Sequence, residues 1–395
     1  MERNNILSFM VSADWHIGAT DPYRFRKELI ETIKPEILKR KALDMFIIAG
    51  DTFDMKEYLS SDSVKVFFLI MADILELTKP FHTQIRILEG TRTHDALQLS
   101  TLRVVFENLL QNNRVKFIEE LSSENIFDVD ILYIPEEYVV NQELYYQNSF
   151  SKHYDFIFGH GNTDVMWFQK KNTKQIGSGS APVFSADKLT EISHYSYFGH
   201  YHYNISAGNN GRFKSIGPVT RWEFGKDDRC GLYYVQYDKT TNLAVEDYIE
   251  NIYAPILTTL IMKITENYDL GKLNEKIKAK IAPVKDKSDK VRLIIHMDSS
   301  LDTFVMMRDF LLSSYGNTEN LTLIIKPIES NQTEETSIED VTDVIDDKPY
   351  LYDKSMHDEA RIASFIRKKE GVNISLENIL NVIQKKDTKI KNLED

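Results

Sequence analysis

The feature that most constrains this chain is a repeated junction: a short apolar run, usually a glycine, then an aspartate or histidine. It occurs at Asp14-Trp15-His16, Gly50-Asp51-Thr52-Phe53-Asp54, Gly159-His160 and Gly199-His200-Tyr201-His202. A longer version, Leu88-Glu89-Gly90-Thr91-Arg92-Thr93-His94-Asp95, lies between them. The apolar runs have the length of buried strands, expected at 7–13, 44–49, 84–88, 115–118, 131–134 and 155–158. Residues 23–41 and 61–78 read as helices between the early ones, and such alternation specifies an α/β layered fold. Sites in these folds form beyond the carboxyl ends of the strands, so the junctions are expected at one sheet edge. Shorter strands with hairpin turns, such as Gly-Asn-Asn-Gly at 208–211, run to about residue 249 and suggest a second sheet packed on the first. Pro35 predicts a kink or break in the first helix. The second helix is apolar beyond one stripe. With Val64, Phe67, Met71 and Ile74 facing a core, Val66, Phe68, Ile70 and Leu77 need cover, by deep burial or at a subunit interface.

One such junction is weak evidence, because single aspartates and histidines end many strands. Together they supply two carboxylates, Asp14 and Asp51, and four imidazoles, His16, His160, His200 and His202. A mixed nitrogen and oxygen set of this kind suits manganese, iron or zinc rather than magnesium alone. A pair of ions roughly 3.5–4 Å apart is a recurrent device for cleaving phosphate esters, and the two oxygens of Asp51 can bridge such a pair. His94 is placed to protonate a departing oxygen as a general acid. Asp95 is expected to orient that imidazole, the alternative being a His-Asp pair that caps the next helix. Asp54 suits holding a loop better than ligation.

These motifs resemble those of the calcineurin-like metallophosphoesterases, and more narrowly the SbcD-type DNA repair nucleases with their bacteriophage relatives. The DWH, GDTFD, TRTHD, GHGN and GHYH segments come in that family's order over residues 1–250, and the segment 215–231 resembles the stretch after its last histidine motif. The resemblance implies a four-layer αββα sandwich, two divalent ions, and DNA as substrate.

 The metal it implies is manganese. It assigns Asp14, His16 and His202 to one ion, His160 and His200 to the other, and Asp51 to both, with His94 as the catalytic histidine steadied by Asp95. It further implies 3′-to-5′ exonuclease and endonuclease activity, a homodimer, and a coiled-coil, SMC-type ATPase partner of the SbcC kind. The third motif departs from the family pattern Gly-Asn-His-Asp: it is two residues longer and lacks the asparagine that binds the second ion. Either the Thr91 hydroxyl or a water fills that position, and weaker occupancy of the second site is expected. Arg92, added beside His94, is either a DNA-phosphate contact or a solvated loop residue.

The rest of the chain bears on substrate and partner. Residues 1–250 read as the catalytic domain and 251–328 as a small α+β capping domain. Residues 329–347 read as an acidic linker, and 348–395 as two amphipathic helices suited to docking on the ATPase or folding back on the body. Lys170, Lys171 and Lys174, after Trp167 and Phe168, offer phosphate contacts and a stacking surface. A net charge of −12 weighs against nonspecific nucleic-acid binding. That weight is reduced because carboxylates holding cations are neutralised and much of the acid sits in the linker. The single cysteine, Cys230, excludes a disulfide framework or a cysteine metal cage within the chain and fits a reducing cytoplasm. No apolar run reaches the roughly 20 residues that span a bilayer, so no membrane association is expected. The competing readings are a hydrolase of small phosphodiesters or phosphoproteins, and a weakly catalytic scaffold for the ATPase.

Overall fold

The computed structural model describes residues 5–109, 112–139, 141–165, 182–225 and 229–328. The lysines at 170, 171 and 174, the acidic linker and the helical tail lie outside the described residues. Strand β1 (Ile6–Ser12) leads to helix α1 (Pro22–Arg40), β2 (Met45–Ala49), α2 (Asp62–Leu77), β3 (Gln84–Leu88), α3 (Leu99–Val104) and β4 (Val115–Ile118). Then come β5 (Ser122–Ile126), β6 (Val129–Ile134), α4 (Gln142–Phe150), β7 (Tyr154–His160), β8 (Asn162–Thr163), β9 (Val183–Phe184), α5 (Ala186–Glu191) and β10 (Ser193–Gly199). β11 (Ile205–Ala207), β12 (Phe213–Ser215), β13 (Gly231–Asp238) and β14 (Leu243–Glu250) follow. The last described stretch is β15 (Leu257–Ile264), α6 (Leu270–Lys285), β16 (Lys290–Asp298), α7 (Phe304–Tyr315) and β17 (Leu321–Ile328).

Two six-stranded mixed sheets stand at the centre, ordered β14-β13-β1-β2-β3-β4 and β11-β12-β10-β7-β6-β5. Alternation along β1 shows why they face each other. Phe9 and Val11 enter a core shared with Phe156, Phe158 and Tyr197 of the second sheet. Met10, pointing the other way, packs with Phe25, Leu29 and Phe67 of the helices α1 and α2. On the far side, Leu132, Ile157 and Phe198 pack against Tyr146 of α4 and Leu189 of α5. Helices therefore lie outside and sheets inside. A separate core, including Leu273, Ile277, Leu293, Ile295, Met307 and Leu311, holds α6 and α7 on the parallel sheet β15-β16-β17.

The structure changes the expectations for the second sheet, the single sheet edge and α1, and decides between the alternatives for α2. The second sheet is not simply the later part of the chain: β6 and β7 belong to it, whereas β13 returns to pair antiparallel with β1. The junctions consequently come from two facing sheets rather than one sheet edge. α1 runs without a break past Pro35, with Leu29, Ile33 and Ile37 buried around the position; their packing outweighs the hydrogen bond that proline cannot donate. The second apolar face of α2 is covered within the chain, because Val66 and Ile70 are fully buried and Phe68 and Leu77 pack on the same core.

Candidate metal centre

Parallel pairing of β1 with β2 and of β7 with β10 brings the carboxyl ends of all four strands together. Asp14 and Asp51 project from one sheet, His160 and His200 from the other, and His16 and His202 follow two residues after their partners. The backbone is strained here. Asp14 (φ 52°), His16 (44°), Asp51 (50°), His200 (102°) and His202 (52°) all have positive φ. For residues with a Cβ this costs roughly 1–2 kcal/mol each, and it persists where surrounding structure enforces a particular side-chain direction. Close packing adds a second constraint: a Cβ at Gly50, itself at φ +83°, would lie 2.2 Å from His160 Nδ1, and one at Gly90 2.1 Å from the Asp51 amide nitrogen.

The donors form two groups that share one residue. Asp14, His16, Asp51 and His202 place one donor atom each within 4.8 Å of the others, as do Asp51, His160 and His200. Asp51 Oδ2 is 3.2 Å from His160 Nε2 and 3.6 Å from His16 Nε2, so one oxygen faces both groups. Its Oδ1 accepts from the Thr91 amide at 2.6 Å. His16 Nε2 is 3.1 Å from His202 Nε2. His160 Nδ1 donates to the Ala49 carbonyl at 2.8 Å, which leaves Nε2 to face the cluster. The His200 amide donates to Asp14 Oδ1 at 2.8 Å. Trp222 packs against both His16 and His202, with ring centroids 4.4 and 4.9 Å away.

Whether the set fits metal ions is decided by its unmet charge. Asp14 and Asp51 are buried, and among the described residues their ion-pair partners are histidines alone. Asp14 Oδ2 is buried with no hydrogen-bond partner. Buried carboxylates need compensation. Burial pushes Asp14 up to about 6, partly offset by His160. Burial also raises Asp51, but the charge and hydrogen bond of His160, together with His16 and His94, outweigh it and hold that carboxylate well below the usual range. Burial lowers His160, but Asp51 more than reverses this and takes the imidazole up to about 10. Burial, then the neighbouring His160, pushes His200 down. With Asp14 Oδ2 left without a partner and two carboxylates facing four imidazoles, the donor set fits two divalent cations.

A third group, His16, Asp54 and His94, adjoins the first. Asp54 Oδ1 lies 3.4 Å from His16 Nδ1, and the Asp54 carbonyl lies 2.6 Å from His94 Nδ1. Asp54 therefore holds His94 by a hydrogen bond and faces His16 at ion-pair distance without needing to join the donor clusters, and Nε2 is the nitrogen of His94 left for proton transfer. The expected role of Asp95 is corrected. Among the described residues no hydrogen bond or ion pair joins it to His94; its carboxylate accepts from the Phe53 amide at 2.9 Å and the Gly90 amide at 2.8 Å. The turn after β3 directs adjacent side chains apart, so Asp95 tethers two site loops instead. Arg92 lies over the Tyr138 ring, 4.8 Å from its centroid.

Thr91 is drawn into the second group, its hydroxyl 3.3 Å from Asp51 Oδ2, 3.4 Å from His160 Nε2 and 3.3 Å from His200 Nδ1. Sequence reasoning missed Glu136. It is buried just beyond β6, with Oε2 3.3 Å from His200 Nδ1. The available signal was its place after an apolar strand, the rule that found the other donors, without the glycine or histidine that marked them.

No family model matches this sequence, and no curated protein does. Among solved structures, a conserved uncharacterised protein of Streptococcus pneumoniae, described as a predicted phosphoesterase, aligns with 62% of this chain and 98% of its own. The identity is 11% and the TM-score 0.26. A second crystal structure covers 62% of this chain and 99% of its own, at 9% identity and a TM-score of 0.28. Superpositions this loose carry no weight for the chemistry, which rests on the side chains above.

Proposed function

We propose that this chain is a two-metal phosphodiesterase and, more narrowly, the nuclease subunit of a DNA end-processing complex. The observation that carries the phosphodiesterase reading is the pair of donor clusters meeting at one oxygen of Asp51. Asp14, His16 and His202 would hold one ion, His160 and His200 the other. When bound, a divalent pair supplies the charge that activates water and offsets the charge developing on phosphoryl oxygens. The chain's own part is to fix the donors by strained backbone, and to hold His94 by Asp54 so that Nε2 can give a proton to the leaving oxygen.

DNA as substrate, manganese as metal, a homodimer and an SMC-type ATPase partner are supported by the order of the sequence motifs. Arg92 beside the site is a further candidate phosphate contact. Among the described residues no helix is long and apolar enough to cross a membrane.

The deciding assay is digestion of an end-labelled linear duplex with manganese, by the intact chain and by His94→Ala. Manganese-dependent loss of label, reduced about 10²–10⁴-fold in the variant, is the expected result. Cleavage of bis-p-nitrophenyl phosphate without DNA digestion, with or without the ATPase, would reject the nuclease and retain the phosphodiesterase. Inactivity on both would reject the reading. Removal of residues 348–395 is expected to abolish ATPase binding, and co-purification of the shortened chain would refute that assignment.

A further inference from the structure

The two donor groups are unequal. The first combines two carboxylates with two imidazoles, whereas the second has two imidazoles and only the shared Asp51. A divalent ion at the second position would therefore receive half a share of one negative charge, in a setting where ligand charge governs affinity.

Glu136 stands beside that deficit. The backbone holds it there, since its amide donates to the Glu89 carbonyl at 3.3 Å, joining the loop after β6 to the loop after β3. Its Oε1 accepts from the Tyr138 hydroxyl at 2.6 Å. That bond leaves Oε2 turned to the cluster, 3.1 Å from Thr91 Oγ1 and 3.3 Å from His200 Nδ1. It stands outside the group Asp51, His160 and His200, whose donor atoms all lie within 4.8 Å of one another, so it would reach the ion from the His200 side by a small side-chain shift. Donor atoms about 2.1 Å from a common ion lie roughly 3–3.4 Å from their neighbours. The spacings of Thr91 Oγ1 from Asp51, His160, His200 and Glu136, 3.1–3.4 Å, fall in that range.

We propose that Glu136 is the anionic donor of the second divalent-cation site, with the Thr91 hydroxyl as a neutral donor beside it. Resting on the two-metal reading, this gives each ion one carboxylate of its own in addition to Asp51. Tyr138 is a positioning residue that presents Oε2. The expectation of a weak second site, drawn from the missing asparagine in the third motif, gives way to two sites of similar strength.

The test is titration of the metal-free full chain with Mn²⁺, counting free ion by electron paramagnetic resonance and following the spin-coupled signal of a manganese pair. The wild-type chain should bind two ions with dissociation constants within about tenfold. Glu136→Gln should keep one site and weaken the other about 10–100-fold, with loss of the coupled signal. Tyr138→Phe, which keeps the carboxylate but frees Oε1, should weaken the same site less. Melting of the metal-free variants identifies any that fail to fold, and Tyr138→Phe then carries the test. Two undiminished sites in folded Glu136→Gln would overturn the proposal. So would a wild-type chain that binds one ion tightly and the second more than 100-fold worse. A wild-type chain that binds none would instead overturn the two-metal reading itself.

Discussion

The central crevice and the small sheet β15-β16-β17 use the same grammar to different ends. Both are built from parallel strands, and in both a buried aspartate stands at a strand's carboxyl end. In the small sheet this is Asp298, whose Oδ1 accepts from the amide and hydroxyl of Ser300 and closes its own turn. In the crevice Asp14 sits at positive φ with Oδ2 lacking any hydrogen-bond partner, and Asp51 looks toward two imidazoles. An acid after a strand is therefore not a ligand by position. What separates the cases is where the backbone sends the carboxylate and whether local groups already satisfy it.

Substitutions in the two regions are expected to differ accordingly. Asp51→Asn is expected to abolish both cation sites in calorimetry and to lower phosphodiester cleavage by at least about 10³-fold; two intact sites would erase the distinction. Asp54→Ala removes the support of His16 and should weaken the first site about 10–100-fold while leaving the second. Glu89, beside the crevice, tests the electrostatics. Burial, then Asp95, pushes its carboxyl from 4.5 up to about 9. The folded chain thus keeps a proton that the unfolded chain has lost, and the associated stability, full below pH 4.5, drains away as pH rises toward 9. Glu89→Gln should raise Tm by several degrees at pH 8 and hardly at pH 4.5, and an equal shift at both would contradict the assignment. Asp298→Ala should cost about 1 kcal/mol in denaturant unfolding and leave cleavage unchanged. Loss of activity there would show the small sheet to be part of the centre.

The crevice was legible where sequence and geometry share a local cause. A strand, a glycine and a histidine predict a side chain at a strand end, and His160 and His200 lie there. The return of β13 to β1 was not legible, because its partner is remote in sequence and the apolar alternation of 231–238 suits either sheet. Asp95 misled because neighbours in sequence suggest neighbours in space, whereas the turn sends its carboxylate to the amides of Phe53 and Gly90. Glu136 was hidden because a glutamate after a strand is commonplace until the facing sheet brings His200 to it.

The crossed hydrogen bonds of the centre also act as a clasp. His160, from one sheet, holds the Ala49 carbonyl of the other, and Asp14 returns the favour to the His200 amide. Neither sheet alone contains a complete cluster, so cations cannot template half of the fold. They can only lock it after both halves have met, adding stability that grows with free metal concentration. Opening the seam between the sheets and releasing metal become one event, and amide exchange along β2 and β10 should slow together as cations are added.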